Sequence, residues 1–395
     1  MKNSHVILML LTVMSGFTHA QPFIPKDDGL VLERLPEQLF QSKTNTTIKR
    51  LRAQLNSNPQ DWLSARQLAL HYIELSKTQS DPRYMGYAQA VLKPWWEIPQ
   101  PTIQALILRA IIRQNAHDFK GALNDLEQVL NVQPSHTQAN LIKATIATVQ
   151  GNYQTAIQHC RQLMRRSSIL LTLICQSTPA SLSGKAEISY QLLNQTLSAT
   201  SPMPEKEKTW AWTSLAEIAW RLGKFKAAEG HFQVAMKIGV RDMYLHKVYA
   251  DFLLQQQRPD EVVQLIDSDT QVDSLLLRLT LAEQMTGATK LTKHIAILKE
   301  RFKANRKRGS TLHQGDEARF LLYLLNQPQA ALKLAKQNWQ VQRESPDTYI
   351  LLQSAIMTND FATIEDIKYW LEKQGTEDVL IKQMLATHED MSHET

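Results

Sequence analysis

The stretch DPRYMGYAQAVLKPWW, Asp81 to Trp96, puts an acid, an arginine, two tyrosines and two adjacent tryptophans into sixteen residues. Such a set could stack on a flat ligand and grip an anion, or it could fill the open end of an apolar core. Two cysteines, Cys160 and Cys175, are open to pairing as a disulfide or to burial as free thiols. The tail THEDMSHET sets His388 and His393 beside acids, a composition that suits weak metal capture and equally a frayed polar terminus. His117 and Asp118 precede Phe119, where a polar turn is expected anyway. No phosphate-cradling Gly-rich loop, G-x-S-x-G elbow, H-E-x-x-H helix or paired C-x-x-C motif occurs. The chain therefore reads as non-catalytic, with no cofactor and no metal site.

Composition says what must position these groups. With 43% hydrophobic and 21% charged residues, the 395-residue chain has the balance of a folded protein rather than a disordered one. Thirteen glycines are few for its length, which disfavours turn-rich sheets and points to helices. Lys2, the apolar run VILMLLTVM, then SGFTHA before Gln21 have the order of a cleavable export signal ending at Ala20. A retained N-terminal anchor is the alternative, although the run falls short of the roughly 20 apolar residues of a spanning helix. The expected location is periplasmic or secreted. No later segment is apolar enough to cross a membrane as a helix. Loss of residues 1–20 removes one lysine and no acid, so the net charge of +6 becomes +5, spread too thinly for a nucleic-acid partner. The densest basic run, KERFKANRKRG from Lys299 to Gly309, fits a helix C-terminus or a docking patch for an acidic partner.

The elements themselves repeat. Trp212, Leu215, Ala216 and Ala219 fall at i, i+3, i+4 and i+7, one face of a helix that ends at Gly223. A second helix then carries Phe225, Ala228, Phe232 and Ala235. Gln150 to Leu163 reads the same way around Gly151, Tyr153 and Ala156. Ala88, Ala122 and Ala156 are spaced by 34 residues, as are Ala228 and Val262, while Ala331 and Ile364 lie 33 apart. Small side chains recur because paired helices cross closely there.

This pattern resembles the tetratricopeptide repeat, W-x2-L-G-x2-Y followed by A-x3-F. The resemblance implies an all-α fold: a solenoid of helical hairpins wound into a right-handed superhelix. It covers roughly residues 51–375 and is weak between 265 and 310. The expected organisation is a signal at 1–20, an extended arm at 21–50 and repeats at 51–264. A degenerate repeat with the basic segment follows at 265–310, then further repeats at 311–380 and a polar tail at 381–395. Asp81 and Pro82 start the second helix of the first repeat, and Trp95 and Trp96 end it, either capping the array or serving as a ligand platform. The stretch is also similar to a D-P-R-Y-x-G-Y-A…P-W-W pattern of uncharacterised exported tetratricopeptide-like proteins of Gram-negative bacteria, which implies export and no activity.

The resemblance further implies an inner groove lined by first helices, suited to a protein or peptide segment. Projected onto it are Trp210, Thr213, Glu217, Trp220, Arg221, Tyr244, Lys247 and Asp251. Further along the chain come His313, Asp316, Phe320 and Tyr323. Aromatic residues beside arginine are the types that dominate binding hot spots. Packing between repeats is the competing use for Trp210 and Trp220. An envelope polysaccharide, or an enzyme or assembly machine to which the chain is an accessory, is the rival partner class. The oligomeric state is left open.

Overall fold

A computed structural model describes residues 43–79, 81, 83–199, 203–266, 270–307 and 314–393. The export signal, most of the expected arm, Pro82 and His313 lie outside the described residues. The chain divides into a unit Met1–Lys49, described only where α1 (Lys43–Ser57) begins, and a unit Arg50–Thr395. Twenty-one α-helices and one 3-10 turn, Gln162–Arg165, make up the regular structure of the described residues, with no strand among them.

After α1 come nine antiparallel hairpins. The first three pair α2 (Trp62–Gln79) with α3 (Arg83–Val91), extended by the short α4 (Lys93–Trp96); α5 (Ile103–Asn115) with α6 (Phe119–Val132); and α7 (Thr137–Val149) with α8 (Tyr153–Arg161). The next three pair α9 (Ile169–Ser181) with α10 (Ala186–Ala199), α11 (Glu205–Arg221) with α12 (Phe225–Lys237), and α13 (Met243–Gln255) with α14 (Pro259–Leu265). The last three pair α15 (Asp273–Thr286) with α16 (Leu291–Lys307), α17 (Gln314–Tyr323) with α18 (Pro328–Trp339), and α19 (Ser345–Met357) with α20 (Phe361–Gln374). A final helix, α21 (Val379–His393), follows.

One turn chemistry closes eight of the nine hairpins. A residue one to three positions past the end of each first helix sits in the left-handed region: His117, Gly151, Gly184, Gly223, Gln257, Gly287, Asn326 and Asn359, with φ between 51° and 77°. In most of them the next N–H reaches back five residues, as Asn152 to the Ala147 carbonyl and Lys224 to the Ala219 carbonyl, both within 2.9 Å. That bond satisfies a helix-end carbonyl and reverses the chain. The second helix then starts two residues past the left-handed one at every position but Gly287.

The small residues of the repeat pack as their spacing requires. Ala88, Ala122, Ala156, Ala186, Ala228, Val262 and Ala331 have no accessible surface, and Ile364 has almost none. Each lies on a second helix, where a longer side chain would force its hairpin apart. Within the segment of weak pattern, α15 and α16 form a complete hairpin. Leu275, Leu276, Leu277 and Leu279 of α15 are all buried, so this helix is enclosed on several sides and shows no one-sided stripe. Arg306 and Lys307 occupy the last turn of α16, where they offset the helix dipole.

The two tryptophans of the aromatic stretch pack within hairpin one and against hairpin two. Trp95 meets Trp62 edge to face at 5.3 Å, and Arg113 lies over Trp96 at 5.6 Å. The Trp96 carbonyl accepts from the Arg109 guanidinium. Arg109 and Arg113 both pair with buried Asp125, at 2.6 and 2.8 Å.

Candidate partner-binding surface

The first helices carry the expected groove residues, but the chain uses many of these positions for itself. Two successive turns, at Gly151 and Gly184, are covered by loops from about 190 residues further on, and Val379 at the start of α21 lies over the next, at Gly223. The Arg343 N–H donates to the Val149 carbonyl at 2.7 Å, and the Thr376 hydroxyl to the Leu182 carbonyl at 3.2 Å. The Glu377 carboxylate accepts from the first N–H of α10, Ala186, at 2.8 Å. Helix ends left open by one hairpin are thus satisfied by another far along the chain. A Cβ on Gly151 would come within 3.0 Å of the Trp370 ring, so glycine there serves both the turn and the close approach. Tyr153, fully buried beside Trp370, donates to the Arg343 carbonyl at 3.4 Å.

This seam redistributes the groove residues expected from the sequence. Thr213 is not on the surface: it is buried and its hydroxyl donates to the Thr209 carbonyl within its own helix. Asp251 and Asp316 are not free acids. Arg278, itself buried, bridges them at 3.0 and 2.5 Å, and Arg319 adds a 2.6 Å bond to Asp251. Burial by itself would raise both carboxyls, yet the guanidinium groups hold both below the usual carboxylate range. Phe320 is core, packed on Phe302, and Tyr323 is half-buried. Trp220 packs edge to face on Phe252, and Arg221 is buried with one bond to the Ser181 hydroxyl at 2.6 Å. Most of these positions are taken up by neighbouring hairpins, later ones at Trp220 and Asp251 and earlier ones at Arg221, Asp316 and Phe320, and a single-repeat projection contains no neighbours.

Glu217, Tyr244 and Lys247 stay together at the rim of the seam. Tyr244 donates to Glu217 at 2.8 Å, and the Lys247 ammonium lies 5.2 Å from the Tyr244 ring centre. Glu344 and Asp347, at the start of α19, face the same group. Burial, then the neighbouring Glu344 charge, pushes the Asp347 carboxyl up to about 7, and burial also raises Glu217 and Glu344. Asp347 accepts from the Asn338 amide at 2.7 Å and from the Glu344 N–H at 3.1 Å.

Trp210 alone of the expected aromatic pair stands open. It borders a cavity of about 270 Å³ with Met85, Ile111, Leu141 and Ile142 as apolar wall and Lys77, Gln114, Asn115, Gln138 and Thr145 as polar rim. Four hairpins meet there: the first, second, third and fifth. Spacing within one repeat could not have placed Trp210 against the first three hairpins. Cys160 on α8 and Cys175 on α9 are joined as a disulfide, with Cα atoms 5.6 Å apart and Leu163 and Ala144 packed around them. Among the described residues, no group of three or more metal-binding side chains is gathered, and no helix is long and apolar enough to cross a membrane.

Residues 107–168 match the family model described as tetratricopeptide repeat. With the hairpin ladder on both sides of that segment, the protein is an all-α solenoid of tetratricopeptide-like repeats, a fold that suggests a protein-interaction scaffold. Among solved structures it is similar to a tetratricopeptide repeat protein from Parabacteroides merdae, 17% identical, over 68% of this chain and 94% of that one, with a TM-score of 0.40. It is also similar to yeast Tom70, 14% identical, over 82% of this chain and 59% of that one, with a TM-score of 0.37. No curated protein matches the sequence.

Proposed function

We propose that this chain is an exported, non-catalytic scaffold that captures a protein segment on the inner face of its first three hairpins, with Trp210 as the anchor. The cavity beside Trp210 carries the reading. Its volume suits one large side chain, its wall is apolar, and its amide rim can bond to the backbone of an extended segment. The later groove positions contribute less, because Asp251, Asp316 and Arg221 are spent on internal partners. Export rests on residues 1–20 and is supported by the Cys160–Cys175 disulfide, a bond that persists in oxidising compartments. A mature N-terminus other than Gln21 in protein recovered from cells would remove that part.

The test of capture is a photo-crosslinking residue at Gln138 in the native cell, compared with and without Trp210→Ala. One protein adduct that disappears in the Trp210→Ala background is expected. An adduct that persists unchanged sinks the assignment of the anchor. A glycan is the second reading, favoured by the indole standing among Gln114, Asn115, Gln138 and Thr145 with no carboxylate at the rim. Saturable binding of soluble cell-wall oligosaccharide, abolished by Trp210→Ala, would decide for it.

A further inference from the structure

Among the second helices of the hairpins, α16 presents a solvent face unlike the rest. Eight of its residues are exposed, and five of them are cations: Lys293, Lys299, Lys303, Arg306 and Lys307. The other three are Thr292, Ala296 and Glu300. All eight lie opposite His294, Leu298, Phe302 and Asn305, which are buried, so the cations share one face of a helix about 25 Å long. Every other second helix exposes at most two cations. In the following hairpin, α18 exposes Lys333 and Lys336 and no acid, whereas α20 exposes Glu365, Asp366 and Glu372 against Lys373 alone.

The needs of the helix explain little of this. Arg306 and Lys307 offset the dipole at its end, but Lys293 stands in the first turn, the positive end, and no acid shares that turn. Lys299, Lys303 and Lys307 follow one another at i, i+4 and i+8, a spacing at which like charges repel. Two of the five cations are offset: Lys303 lies 3.6 Å from Glu300, and Arg306 pairs with Glu317 of the next hairpin. Lys293, Lys299 and Lys307 pair with no acid among the described residues. A surface that brings negative charge to this face would relieve the repulsion along it.

We propose that the exposed face of α16 docks on a bilayer surface rich in acidic phospholipid, with its lysine ammonium groups set among the phosphates. A protein partner fits less well. The face holds no aromatic residue, and four of its five cations are lysines, whose mobile point charges suit a diffuse field better than fixed acceptors. Such attraction strengthens binding about fivefold for each lysine near the surface, and it fades beyond about 10 Å at 0.1 M salt. The face is separate from the cavity at Trp210, and the proposal does not rest on capture there.

Flotation of the full chain with vesicles is the test, comparing phosphatidylcholine alone with a mixture rich in phosphatidylglycerol. The readout is binding to the acidic vesicles in excess of the neutral ones, so that apolar adsorption common to both cancels. The unaltered chain should bind the acidic vesicles and be released by about 1 M salt, where the screening length falls to about 3 Å. The triple variant Lys293→Glu, Lys299→Glu and Lys307→Glu should lose at least about 100-fold of that binding. A second triple variant, Lys120→Glu, Lys226→Glu and Lys237→Glu, changes net charge equally on α6 and α12 and should stay within about fivefold of the parent. All six lysines are exposed, so both variants should melt like the parent by circular dichroism. Equal loss in the two variants overturns the proposal, because net charge rather than α16 would then be acting. Absence of binding to the acidic vesicles overturns it as well, and binding to soluble polyglutamate in that case would decide for an acidic protein partner.

Discussion

Two groups of partly buried acids lie within a few helices of each other and behave oppositely. Around Arg278, two carboxylates, Asp251 and Asp316, share two guanidinium groups, Arg278 and Arg319. At the rim of the seam, Glu217, Glu344 and Asp347 gather around Lys247 with Arg221 near by, and none of these acids forms an ion pair as short as those. Burial penalises charge in both places. Guanidinium forks outweigh that penalty in the first and hold its acids below the usual carboxylate range; in the second, burial raises all three acids, Asp347 up to about 7. The first group is a fixed clasp between hairpins six, seven and eight. The second is the group whose contribution to stability should change with pH near neutrality.

Arg278→Ala should break the clasp outright. It would leave Asp251 and Asp316 buried with one guanidinium between them, at a cost of about 3–5 kcal/mol, read as a lower midpoint in denaturant. The same variant with Asp251→Asn and Asp316→Asn should recover part of the loss, since the stranded charge is then gone.

The rim group is tested by pH. The folded Asp347 carboxyl, raised to about 7, binds its proton more tightly than the unfolded chain does. Its contribution is therefore full below the unfolded value near 4 and is lost as pH rises through about 7. The chain should be more stable at pH 5 than at pH 8 by on the order of 2 kcal/mol, and Asp347→Asn should flatten that slope. Asp251 and Asp316, with lowered values, act in the other direction and only at more acid pH, where protonation removes their stabilisation. A melting profile that climbs steadily from pH 5 to pH 8 would contradict the assignment.

Lys247 offers the finer probe because its charge faces acids of both groups. Lys247→Met should shift the midpoint of the rim titration further upward while leaving the clasp intact, a change worth about 1 kcal/mol at neutral pH. Nuclear magnetic resonance titration of the carboxyl carbons would resolve the two groups separately.

The hairpins were legible because the constraint that makes them is local and periodic. Ala88, Ala122, Ala156 and Ala228 announce a close crossing every 34 or so residues, and each is fully buried. The hairpin at α15 and α16 was legible only as a degenerate repeat, since Leu275 to Leu279 bury several faces and erase the stripe. The glycine ruler was half visible: Gly151, Gly184 and Gly223 mark turns, but His117, Gln257, Asn326 and Asn359 hold the same conformation without glycine. For the site, Trp210 and Tyr244 remain accessible, while Thr213, Asp251, Asp316 and Phe320 do not.

Sequence alone determined that this chain is a run of paired helices, because side-chain size and apolar spacing act over one repeat length. Which inner positions stay open was decided only in three dimensions. The seam is made largely of backbone carbonyls and N–H groups at helix ends, as at Val149, Leu182 and Ala186, and such groups are present in every residue and leave no mark in the order of side chains.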